Sequence, residues 1–128
     1  MPSDRKPPVH LDLLRIRMPV TAVVSIGHRL SGLVLVLCIP VLVYLLQRSL
    51  EGPQSYAGLA GLWARPAVKA LAALVLLSVA HHVLAGVRLL LIDVHIGLSR
   101  AAARRSAWAV LAGAVFALVC GAVGMLLT

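Results

Sequence analysis

Charge is scarce in this chain, and acid is scarcest of all. Of its 128 residues 12% are charged, and the four acidic ones are Asp4, Asp12, Glu51 and Asp93. None falls in the middle of a long apolar run, which argues against a transporter whose helices need an intramembrane carboxylate. Cysteine is nearly as thin. Cys38 and Cys120 fall in separate apolar runs and form no C-x-x-C pair, so they are expected as small packing residues rather than as a disulfide or a metal site. The basic residues have no aromatics interleaved among them and gather at the ends of apolar runs. The net charge of +8 is therefore read as topogenic charge, with no nucleic-acid partner. A cleavable signal peptide is not expected, because the start is polar and the first apolar run is too long and begins too late. There is no internal repeat and no low-complexity segment.

What the chain has in quantity is hydrocarbon. It is 61% hydrophobic with a mean hydropathy of +1.00, more apolar surface than a soluble domain of this size can hide, so the lipid bilayer is the expected solvent. Three runs, about 20–48, 66–92 and 105–127, each reach the roughly 20 residues needed to cross about 30 Å of hydrocarbon. The expected fold is an all-α integral membrane protein with three transmembrane helices. Residues 1–18, polar and bearing Pro2, Pro7 and Pro8, form a cytoplasmic N-terminal segment ahead of a membrane domain over 19–128. Pro19 and Pro66 suit helix starts, and Pro40 should kink the first span. The connection 49–65 reads as a loop rich in small residues, with Tyr56 and Trp63 at the outer interface. Gly113, Gly121 and Gly124 let the third span approach another helix closely.

Nine of the twelve basic residues (Arg5, Lys6, Arg15, Arg17, Arg29, Arg88, Arg100, Arg104 and Arg105) fall on one side of this arrangement, against Arg48, Arg65 and Lys69 on the other. The positive-inside rule then places the N-terminus and the second connection in the cytoplasm and the C-terminus outside.

The second span carries the chemistry. In "SVAHHVLAGVRLLLID" His82 stands eleven residues before Asp93, about 16 Å from the cytoplasmic end at ~1.5 Å per residue, near the bilayer midplane. An imidazole at that depth needs a partner. Two remain open: an interhelical hydrogen bond to a serine or a backbone carbonyl, and axial ligation of a haem iron. His81 points roughly 100° away around the helix and is the alternate candidate. A haem held by two histidines of this one chain would need a second at matching depth. His28 lies nearer the cytoplasmic end, and His10 and His95 lie outside the hydrocarbon. A second ligand is therefore expected from another polypeptide.

A second constellation is "SIGHRLSG", in which Ser25, His28 and Arg29 stand at i, i+3 and i+4 and share a helix face. Arg29 could simply snorkel, but this set also suits haem propionates or a quinone head group. Ser25, His28, Arg29, Arg88 and Asp93 could converge in one layer, with Arg88 and Asp93 forming a salt bridge.

These residues resemble a known family, the cytochrome b membrane-anchor subunit of succinate dehydrogenase (respiratory complex II). "RKPPVHLDLLRIRMPVTAVVSIGHRLSG" is similar to that family's first signature and "HVLAGVRLLLID" to its second, H-x-x-x-G-x-R-x-x-x-x-D. The resemblance implies that His82, four positions before Gly86, is the axial ligand of a haem b shared with a sister anchor subunit, which would complete the helical bundle. It implies that Ser25 and Arg29 line a ubiquinone site, that His28 and Arg29 lie near the haem propionates, and that Gly86, Arg88 and Asp93 support the site. It further implies a flavoprotein and an iron–sulfur subunit as partners, no catalytic succinate site in this chain, and a bacterial inner-membrane location with a periplasmic C-terminus. Leu89 stands where many members have a second histidine, which removes a polar role there but not the ligand. Fumarate reductase anchors share the architecture, and a haem-free membrane scaffold is the rival of a different class.

Overall fold

The computed structural model describes residues 18–127. The expected N-terminal segment, apart from Met18, lies outside the described residues. Four helices follow one another: α1 over Val20–Leu50, α2 over Pro53–Leu62, α3 over Pro66–Asp93 and α4 over Arg100–Leu127. There is no strand among the described residues. α1, α3 and α4 are each long and apolar enough to cross a membrane, as their runs of apolar residues led one to expect.

Local chemistry sets the helix ends. Pro19, extended at φ −64° and ψ 149°, is the N-cap of α1, and its carbonyl accepts from the amides of Ala22 and Val23. α1 then runs through Pro40 as one helix. The connection read as a loop contains α2 instead. Gly52 supplies the turn at φ 147°, which a side chain would oppose, and Pro53 opens α2 at its first turn. The Ser55 hydroxyl donates to the Arg48 carbonyl at 2.6 Å, tying α2 to the end of α1. Pro66 begins α3.

α3 ends in a Schellman motif, with the amide of Ile96 on the Leu91 carbonyl (2.8 Å) and that of His95 on Ile92 (2.9 Å). The motif needs a left-handed residue, and here it is His95 at φ 66°. α4 starts at Arg100, five residues before the third apolar run, because the Ser99 hydroxyl accepts from the Ala102 amide at 3.2 Å and caps the first turn.

α3 is the middle of the packing and touches both α1 and α4. Its contact with α4 depends on small residues. A Cβ at Gly113 would stand 2.8 Å from Leu84, and one at Gly121 would overlap Leu76. For Gly113 and Gly121 the helix approached closely is thus α3 itself, whereas a Cβ at Gly124 would meet open space. Lys69, in the first turn of α3, donates to the Met125 carbonyl and satisfies part of the exposed C-terminal end of α4. The buried cluster of Val24, Ala85, Ala107 and Val110, with Val20 and Leu111 against it, lies where the start of α1, the end of α3 and the start of α4 meet. Toward the α2 end, α1 and α3 border an apolar cavity of 690 Å³ that includes Leu45, Trp63 and Leu76 in its wall. Most other large apolar side chains, such as Leu33, Val36 and Phe116, face outward, the inverse of a soluble fold and the arrangement suited to lipid and partner helices.

Candidate functional site

The polar groups of α1 and α3 meet just beyond the buried cluster. The rings of His28 and His82 stack with centroids 4.2 Å apart and planes 17° from parallel. His82 Nδ1 lies 3.2 Å from the His28 carbonyl oxygen and 3.2 Å from Ser31 Oγ. That hydroxyl itself donates to the His28 carbonyl at 2.9 Å. A carbonyl can only accept, so pairing with the His28 carbonyl assigns the proton to Nδ1; the Ser31 hydroxyl fits either tautomer. In that tautomer the lone pair is on Nε2, the arrangement in which one nitrogen can bind a metal while the other is fixed by a backbone carbonyl. Gly32 makes the room: a Cβ there would be 3.0 Å from His82 Cε1. Gly86 is less demanding, since a Cβ would make ordinary contact with His28 Nε2 at 3.7 Å.

The stack corrects the reading that His28 is too far from His82 in depth. Counted from their own helix ends the two differ by only about 4 Å along the axis at ~1.5 Å per residue, which two imidazoles span. The stack also shows why the pair cannot act together on one metal. Two axial ligands present ring edges to an ion between them, whereas these rings lie face to face. Among the described residues no group of three or more His, Cys, Asp or Glu could hold a metal ion. The ring nitrogen of His82 that faces no acceptor in this crossing is Nε2.

His81 is committed elsewhere. It is buried, with Nε2 3.3 Å from the Val24 carbonyl oxygen. The interhelical hydrogen bond weighed for a mid-span histidine is therefore made by both histidines, to carbonyls one turn apart on α1. His81 spends its Nε2 on that bond and His82 does not. This engagement of His81 went unread in the sequence; Gly27, directly beneath the ring, was the available signal.

Ser25 and Arg29 are exposed on α1. Going round that helix from Val24, His28 lies at about 40°, Ser25 at about 100° and Arg29 at about 140°, so all three are on one flank. Arg88 and Asp93 do not join them. Arg88 is buried and turned to α4, where Nε donates to Ser106 Oγ at 3.0 Å and a terminal nitrogen to the Ala103 carbonyl at 3.4 Å. The Ser106 hydroxyl donates to the same carbonyl at 3.1 Å. Asp93 is exposed at the end of α3. The expected Arg88–Asp93 salt bridge is replaced by this network, because positions five apart on a helix point about 140° away from each other. Ser106, unremarked in the sequence, is the partner.

Residues 3–121 match the family model described as Succinate dehydrogenase/Fumarate reductase transmembrane subunit. The chain belongs to this family. It is also 38% identical over 117 residues, covering 91% of this chain and 94% of the relative, to a protein of Coxiella burnetii (strain RSA 493 / Nine Mile phase I) named succinate dehydrogenase cytochrome b556 subunit. The resemblance seen in the two signature segments is borne out. For a succinate dehydrogenase/fumarate reductase transmembrane subunit the geometry takes on meaning: the family match spans α1 and α3 entirely, and with them the Ser25–Gly32 and His81–Asp93 segments that build the polar crossing.

Proposed function

We propose that this chain is the membrane-anchor subunit of a succinate:ubiquinone oxidoreductase, binding haem b jointly with a sister anchor subunit and forming part of the ubiquinone-reduction site. The observation that carries the haem reading is the hydrogen bonding of His82, with Nδ1–H held by the His28 carbonyl and Ser31 and Nε2 left as the free donor. The residues fit the group: an imidazole with Nδ1 on a backbone carbonyl and a serine hydroxyl, on a helix otherwise made mostly of apolar residues. Bound there, haem supplies a one-electron couple. His82 would hold that haem from this chain, and a second ligand would come from the sister subunit, since the face-to-face stack of His28 on His82 does not suit two ligands of one iron.

Ser25 and Arg29 stand exposed on the flank of α1 that continues from His28. There Arg29 supplies a charged donor and Ser25 a hydroxyl for a quinone carbonyl, and His28 and Arg29 serve the propionates. Gly86 keeps the neighbouring flank of α3 free of side chain. Arg88 supports the site by tying α3 to α4, and Asp93 supports it from the end of α3. The nine basic residues of the N-terminal flank, the end of α3 and the connection to α4 support a cytoplasmic position for that end, in the reading of a bacterial inner-membrane protein with a periplasmic C-terminus. The same end anchors the flavoprotein and iron–sulfur subunits. Succinate is oxidised on those subunits and not on this chain. The family description covers fumarate reductases as well; the name of the Coxiella relative favours the succinate-oxidising direction.

The test is a reduced-minus-oxidised spectrum of the purified complex. His82→Ala should abolish the b-type band, whereas His81→Ala should retain one. An unchanged band in His82→Ala defeats the assignment.

A further inference from the structure

His81 takes no part in the proposed haem or quinone chemistry, yet its bond organises the turn of α1 that does. Its Nε2–H donates to the Val24 carbonyl at 3.3 Å. In an α-helix that oxygen also accepts the backbone N–H four residues on, which belongs to His28. One atom of α1 therefore holds both the side chain of His81 and the amide of His28. The fit is tight below as well as in front: a Cβ on Gly27 would stand 2.6 Å from His81 Nε2, so the ring requires bare backbone there. One flank over, His82 repeats the arrangement with the His28 carbonyl and Gly32. Two adjacent imidazoles of α3 thus grip two carbonyls one turn apart on α1, each above a glycine.

We propose that His81 is a positioning residue for this site. By gripping the Val24 carbonyl it sets the rotation and rise of the α1 turn 24–28 against α3, and with it the places of Ser25, His28 and Arg29 relative to Nε2 of His82. The proposal rests on the reading of that flank as the quinone and haem face. Its consequence is large because misplacing a positioning group by about 1 Å can cost on the order of 100-fold in rate. His82 alone does not fix the turn, since its contacts are half-buried and lie to one side. The buried His81 bond closes the other side.

The test uses the assembled complex in membranes. His81→Phe keeps an aromatic ring but loses the donor, and His81→Gln keeps an N–H at similar reach. His81→Phe should raise the KM for ubiquinone at least fivefold and shift the b-type spectrum, while His81→Gln stays within twofold of the parent. Dye-linked succinate oxidation should be unchanged in both. Equal behaviour of the two variants, or a parent-like His81→Phe, shows that the N–H donor does not matter and overturns the proposal.

A double-mutant cycle supplies a readout independent of haem and quinone. Gly27→Ala should lower the melting temperature of the complex, and adding His81→Ala should restore part of that loss because the clash is relieved. Additive losses would deny the contact. If His82→Ala leaves the b-type band intact, the functional reading fails, while the cycle still decides whether His81 and Gly27 form the grip.

Discussion

The imidazoles of His28 and His82 lie face to face, 4.2 Å between centroids, although 54 residues separate them. The His28 backbone carbonyl takes part as well as its ring, since it lies 3.2 Å from His82 Nδ1. Ser31 completes that bond from one turn further along α1. Ser31→Ala should therefore leave haem bound but weaken its hold on the His82 tautomer. The loss of one of two acceptors is worth about 0.5–1.5 kcal/mol, to be seen as a small shift in haem midpoint potential by redox titration. Loss of the band altogether would show that Ser31 does more than orient His82.

Ser25→Ala and Arg29→Ala should impair ubiquinone reduction while dye-linked succinate oxidation persists. A hydrogen bond to a charged group contributes about 1.5–3 kcal/mol, so kcat/KM for ubiquinone should fall roughly 10- to 100-fold in Arg29→Ala and less in Ser25→Ala. Parallel loss of both activities would point to failed assembly instead.

Arg88 and Asp93 should separate in stability measurements. Arg88→Leu removes the bonds to Ser106 and Ala103 in a buried position and should lower stability by about 1.5–3 kcal/mol, read as a drop in melting temperature. Asp93→Asn should stay within about 0.5 kcal/mol of the parent, because Arg88 is bonded to α4 and not to it. Equal losses would restore the salt bridge.

The glycines of α4 should differ in the same way. Gly121→Val drives a side chain into Leu76 and should cost about 1–3 kcal/mol, partly recovered by Leu76→Ala. Gly124→Ala, with open space around its Cβ position, should be close to neutral. Thermal denaturation of the two variants side by side checks this.

The sequence by itself determined the membrane character of the chain, its three spanning helices and the family, because those depend on run length and on residues a few positions apart within one helix. It also singled out Ser25, His28, Arg29 and His82. Local spacing could not decide the partners of those residues. Depth counted along two helices separated His28 from His82, but the crossing of α1 and α3 stacks them. Five-residue spacing suggested an Arg88–Asp93 pair, but the turn of the helix sends Arg88 to Ser106. Spacing already told His82 from the adjacent His81, but only the packing of α3 on α1 gave His81 its partner, the Val24 carbonyl, and set Nδ1 of His82 on the His28 carbonyl. Which nitrogen carries a proton is set by the atom it faces, and that atom lies on another helix.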